Sequence, residues 1–245
     1  MDLSPYQWVV AFFAAVIVGG SKSGLPGAGV LAVALFAQIF PAKESTGALL
    51  PVLLVGDVLA VTMMRRHANW PQLLRIFPWT AVGVLAGVWV LAHINNAQLR
   101  LVIGVLVVGM TLYQFAVRLL RQPQRVSSHS RVFAASMGIT AGLTTMIANA
   151  AGPFTTLYLL AMQMGKLEFV GTTAWFYFAV NLFKMPLASS LGLITLESLR
   201  INLLLVPAVI AGAFGGRWLL HRIHQGLFEN AVLILALLGG LNLLF

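Results

Sequence analysis

Apolar runs close to membrane-spanning length, separated by short polar breaks, recur from one end of this chain to the other. An unbroken run of that kind predicts a helix apolar around its whole circumference, because about 20 residues are needed to cross a hydrocarbon core of about 30 Å. The runs predict ten segments, at roughly 5–20, 26–40, 46–64, 73–92, 98–117, 132–147, 152–164, 169–187, 201–220 and 227–245. Four of these (5–20, 26–40, 132–147 and 152–164) are short, since a helix of 16 residues rises only about 24 Å. They form two consecutive pairs, each interrupted by small and polar residues. The expected class is an all-α polytopic membrane protein with about 8–10 hydrophobic segments.

Composition agrees: 60% of the residues are hydrophobic and 9% are charged, against about a quarter charged in soluble domains. With no cysteine in the chain, disulfides and thiolate metal sites are excluded. Residues 1–5 lack the basic head of a cleavable signal, so none is expected. The net charge of +9 does not point to nucleic acid, because the arginines sit at the ends of apolar runs, where orientation and lipid head groups account for them. Arg65, Arg66 and Arg75 occupy one connection, Arg118, Arg121, Arg125 and Arg131 another, and Arg217 and Arg222 a third. The connections with Arg100 and Arg200 carry one arginine each. By the positive-inside rule the first three face the cytoplasm and the last two face outward, which alternates consistently along the chain.

The halves resemble each other. A shift of 124 aligns Glu44 with Glu168, Gly47 with Gly171 and Asp57 with Asn181. A shift of 129 aligns Pro78, Gly83 and Gly87 with Pro207, Gly212 and Gly216. Small residues four apart let helix backbones approach closely in lipid. The predicted sidedness inverts the halves, giving two inverted-topology repeats, each beginning with a broken or re-entrant helix pair. The organisation expected is a first membrane repeat over 1–117, a basic cytoplasmic linker over 118–131 and a second repeat over 132–245. Such repeats bind substrate near the bilayer midplane, where broken helices meet.

The first break reads Gly20-Ser21-Lys22-Ser23-Gly24 and leads to Pro26, which can open a helix at its first turn. An ammonium at bilayer depth costs about 2.5–3.5 kcal/mol, so Lys22 either offsets an anion or snorkels to the interface as an anchor. Ser21, Ser23 and the backbone near Gly24 would add donors. The second break, about 144–151, supplies Thr144, Thr145 and Asn149, which either bind an oxyanion or satisfy backbone freed at the break. Asp57 is either a counter-ion to Lys22 or a proton-coupling residue. Lys184 shares a helix face with Asn181 and either adds positive charge to the pathway or snorkels outward. Glu44 and Glu168 fit helix starts, where the dipole favours acids. His221 and His224 read as an interfacial flank, so no metal is expected. No Ser-His-Asp set, H-E-x-x-H or P-loop is present, so neither an enzyme nor an ATP-driven pump is indicated, and no cofactor is expected.

Three stretches, G-G-S-K-S-G-L-P-G-A-G, P-A-K-E-S-T-G-A followed by the helix with Asp57, and a weaker second copy around N-A-A-G-P and G-K-L-E-F-V-G-T-T-A, make the chain resemble the TauE/SafE family of bacterial sulfite and organosulfonate exporters. The resemblance implies a secondary transporter of a small sulfur oxyanion in the bacterial inner membrane, a partner set of anion and lipid, and room for a homo-oligomer. The second break lacks the glycine run of the first, which counts against two equivalent sites. A passive anion channel, an importer of the same anions and a non-transporting scaffold remain open alternatives.

Overall fold

A computed structural model describes residues 3–23, 28–120 and 131–220, with positions 234, 237, 238, 241 and 244 beyond them. Among the described residues the chain is helical and has no strand. The helices are α1 (Pro5–Ser23), α2 (Gly29–Ile39), α3 (Ala42–Met64), α4 (Trp70–His93), α5 (Asn96–Leu120), α6 (Arg131–Ala148), α7 (Gly152–Ala161), α8 (Lys166–Ser190) and α9 (Leu196–Leu220). The predicted segment 227–245 lies outside the described residues except at those last five positions, which are helical. Residues 121–130 of the linker, Arg222, His221 and His224 also lie outside them.

Five helices are long and apolar enough to cross a membrane, over 42–63, 70–93, 96–113, 131–148 and 196–216. Helix α8, also 25 residues long, is not among them, and it is the helix that carries Asn181 and Lys184. Helices α2 and α7 have 11 and 10 residues, a rise of roughly 15–16 Å, about half of a hydrocarbon core. Each broken pair thus consists of one long and one half-length helix. Large apolar side chains such as Leu74, Trp89, Leu203 and Phe214 point outward, while Ala11, Ala14 and Ala15 of α1 are fully buried. In lipid, outward apolar residues need no partner, and small inward ones let backbones come close.

The closest packing joins a helix before the linker to one after it, α1 with α9 and α4 with α6. A Cβ added at Gly19 of α1 would lie 2.0 Å from the Val209 carbonyl oxygen and 2.7 Å from the Ala213 nitrogen of α9. One added at Gly142 of α6 would lie 2.0 Å from the Thr80 carbonyl oxygen and 2.8 Å from the Val84 nitrogen of α4. In the reverse sense, Gly212 faces the Val16 carbonyl and Gly83 faces the Ile139 carbonyl, each at 2.1 Å. The two crossings use the same positions, shifted by 123 between α1 and α6 and by 129 between α4 and α9. Only glycine permits backbones to meet at these points.

A second tie holds the start of α4 to α8. Asn69 caps α4 by accepting from the Gln72 nitrogen at 3.1 Å, and Pro71 stands in the first turn. Its own nitrogen donates to the Thr172 hydroxyl at 2.9 Å, and its amide donates to Glu168 at 2.6 Å. Glu168 lies in the first turn of α8 and Glu44 in the first turn of α3, as the dipole favours.

Candidate functional site

Both breaks converge on helices α3 and α8. Helix α1 continues to Ser23, so Ser21 and Lys22 stand on its last turn and not in an open loop. Apolar continuity ends at Gly20, but the helical hydrogen-bond ladder runs on for another turn. Helix α2 begins at Gly29, later than Pro26 suggested. Gly24 lies with residues 25–27 outside the described residues, and Ser23 is described by its backbone alone. Ser21 faces the first residue of α2, since a Cβ on Gly29 would meet its hydroxyl oxygen at 3.3 Å.

Lys22 is clamped from two sides. Its stem packs on Gly56, where an added Cβ would lie 3.0 Å from the Lys22 Cγ. Its Nζ lies 2.7 Å from the Asp57 Oδ1 and 4.1 Å above the centroid of the Tyr177 ring. The ammonium is therefore turned inward, away from the anchoring position at the lipid interface. A cation over an aromatic face gains from the ring quadrupole, more so when water is excluded. Asp57 is fully buried. Its Oδ2 accepts from the Asn181 Nδ2 at 2.6 Å, and its Oδ1 is the oxygen paired with the Lys22 ammonium.

The second break is built on a left-handed residue. Asn149 has φ 51°, and its nitrogen donates to the Thr145 carbonyl at 3.0 Å, which ends α6 in an αL cap. Asparagine enters this conformation more readily than most side chains. The Asn149 Nδ2 donates to the Thr46 carbonyl of α3 at 2.9 Å, and the Thr46 hydroxyl returns a bond to the Ile147 carbonyl at 3.0 Å. Lys184 completes the arrangement, donating to the Thr145 carbonyl and the Asn149 Oδ1 at 2.6 Å each, and to the Thr145 hydroxyl at 3.3 Å. It is 1% exposed, so it does not snorkel outward. Thr144 donates its hydroxyl back to the Thr140 carbonyl at 2.8 Å within α6, a backbone-satisfying role.

The structure thus gathers Lys22, Asp57 and Asn181 at one break and Lys184, Thr145 and Asn149 at the other. Among the described residues no carboxylate lies within ion-pair distance of Lys184, although Lys22 and Asp57 are near enough to act on its charge. Among the described residues, a buried and a half-buried ammonium thus lie near one carboxylate, which pairs with Lys22. The carbonyl end of α6 offsets part of the Lys184 charge, while the amino ends of α2 and α7 add positive potential at the breaks. Asp57 and Asn181, aligned by the repeat shift of 124, touch each other directly.

Sequence reasoning missed Tyr177 and Thr46. Tyr177 precedes Asn181 by four residues and Lys184 by seven, so helical spacing places all three on one face. Thr46 carries no such signal, because its contacts arise only when α3 meets the second break.

Asn149 supports a direct stability prediction. Asn149→Ala should lower the melting temperature of the detergent-solubilised protein, losing roughly 2–4 kcal/mol to a strained φ and to a lost partner for a buried ammonium. Asn149→Gly tolerates the φ and should recover about 1 kcal/mol of that loss. Equal melting temperatures for the two variants would remove the conformational part of the argument.

A family model described as sulfite exporter TauE/SafE matches residues 11–243. No curated protein and no solved structure matches the chain.

Proposed function

This chain belongs to the sulfite exporter TauE/SafE family, and from that premise we propose that it exports a small sulfur oxyanion, sulfite or a short organosulfonate, across the bacterial cytoplasmic membrane. It is a multi-pass membrane protein of a transporter family. The observation that carries the reading is two inward-turned lysines, Lys184 buried and Lys22 half-buried, with a single carboxylate near them among the described residues, paired with Lys22. An anion bound between the breaks would neutralise the surplus charge, with Lys184 and Thr145 on one side and Lys22 and Ser21 on the other. Asn149 and Asn181 hold Lys184 and Asp57 in place through hydrogen bonds.

Two inverted halves, 1–117 and 132–245 joined by 118–131, fit this role. The paired glycine crossings at shifts of 123 and 129 support them, as does the contact between the equivalent residues Asp57 and Asn181. In that alignment Lys22 corresponds to Thr145, so the second half supplies its positive charge from Lys184 of α8 instead.

Asp57 adds a second reading, in which a proton accompanies the anion. It is faced by Lys22 of α1 and by Tyr177, Asn181 and Lys184 of α8. A proton on Asp57 would remove the one negative charge that the described residues place beside the lysines, so proton and anion would favour each other's binding, and by linkage this is reciprocal. Such coupling moves both in one direction. One proton with a doubly charged sulfite leaves one net negative charge, which a potential negative inside drives outward by about 2.3 kcal/mol per 100 mV, whereas a proton with a singly charged sulfonate moves no net charge.

Purified protein in liposomes tests the proposal. Sulfite or a short sulfonate should leave loaded liposomes in a saturable manner, sulfite faster with a potential that is negative inside, while chloride at equal concentration should move poorly. Absence of any oxyanion flux would sink the transport reading, and a linear, unsaturating flux would favour a channel.

A further inference from the structure

We propose that Asp57 is a resident competitor for the transported anion: Lys22 is held by this carboxylate in the unloaded protein and is handed to the substrate when the anion arrives. The inference rests on the transport reading above and concerns how the same site is regulated.

Three observations carry it. The Asp57 carboxylate already occupies an anion position, with an ammonium 2.7 Å from one oxygen and an amide nitrogen 2.6 Å from the other. That is the donor chemistry a sulfite or sulfonate oxygen would use. The two oxygens are held from different helices, Oδ2 by the Asn181 amide of α8 and Oδ1 by the Lys22 ammonium of α1. Lys22 can therefore leave without freeing the carboxylate from α8. The ammonium also has a second support, the Tyr177 ring at 4.1 Å, which keeps it desolvated and near the break while it changes partners.

A competing anion inside the site weakens substrate binding and speeds release. A site with two cations and no carboxylate would hold an oxyanion tightly and let go slowly, which is poor for a carrier. Asp57 returns Lys22 to a neutral pair as soon as the substrate departs, so this ammonium is not left without a counter-charge in the empty site, a state that is costly.

The test is kinetic. Asp57→Asn is nearly isosteric and keeps a polar group toward Asn181. In proteoliposomes it should lower the KM for sulfite by about tenfold or more, from loss of a like charge near the anion, and lower the maximal rate as well. In detergent, sulfite should raise its melting temperature further than it raises that of the wild-type protein. Asp57→Ala leaves space for a small carboxylate, so added formate should raise its KM for sulfite back toward the wild-type value. An unchanged or raised KM in Asp57→Asn, or no formate effect in Asp57→Ala, overturns the competitor. If the wild-type protein moves no oxyanion, the transport reading itself fails. If the wild type transports and the variants show no KM shift, only the competitor falls.

Discussion

Replacing Lys184 with methionine should reduce sulfite flux by roughly two orders of magnitude while the protein still elutes as a folded species from detergent size exclusion. Loss of one member of a buried charge pair or of a charge facing a bound anion costs about 2–5 kcal/mol in comparable settings, which supports that size of effect. Stability should change much less. Methionine leaves the Thr145 carbonyl and the Asn149 Oδ1 short of a donor, a loss of about 1–3 kcal/mol, but it also removes the expense of holding an ammonium in a fully buried position. Lys184→Arg keeps the charge and should still fall well below wild type, because a planar guanidinium cannot reproduce contacts aimed at 2.6 Å to two oxygens on one helix end. Wild-type flux in Lys184→Met would show that this ammonium only caps α6.

Gly142→Val should abolish folded protein at the level of expression. The first carbon of the new side chain would lie 2.0 Å from the Thr80 carbonyl oxygen and 2.9 Å from its carbonyl carbon. Both are backbone atoms of a neighbouring helix, so no rotamer change relieves the overlap. Overpacking of a fitted core costs about 1–3 kcal/mol even where side chains can shift, and a backbone collision at the centre of the α4–α6 contact should exceed that range. Gly109→Val gives the control, since an added Cβ there meets nothing within 4 Å. Fluorescence size exclusion of both variants in whole-membrane extracts distinguishes them, and a normal monodisperse peak for Gly142→Val would contradict the close crossing.

The helices were legible in the sequence because a membrane span leaves little freedom: an apolar run of sufficient length has few other uses. The predicted run at 73–92 is α4 (Trp70–His93), and the one at 98–117 is α5 (Asn96–Leu120). The ends were less legible. At Lys22 polarity begins before the helix stops, and at Asn149 the stop depends on a left-handed backbone that any asparagine in a loop could adopt. Scarcity of charge singled out Lys22, Asp57 and Lys184, since each is expensive at depth. Which partners they meet was not legible for Lys184, whose contacts come from a helix end 35–39 residues away in sequence. Tyr177 was hidden because an aromatic residue in an apolar run carries no mark separating a lipid-facing ring from one beneath a cation.

The exchange of partners across the linker has a consequence for ancestry. Helix α1 finds its closest contact in α9, and α6 finds its own in α4, so neither half covers its own broken helix. A half-length chain would leave the glycine face of its first helix bare, with no local helix to fill it. On the inverted-repeat organisation proposed above, a half-length ancestor would have had to work as a pair, two copies inserted in opposite directions and interlocked.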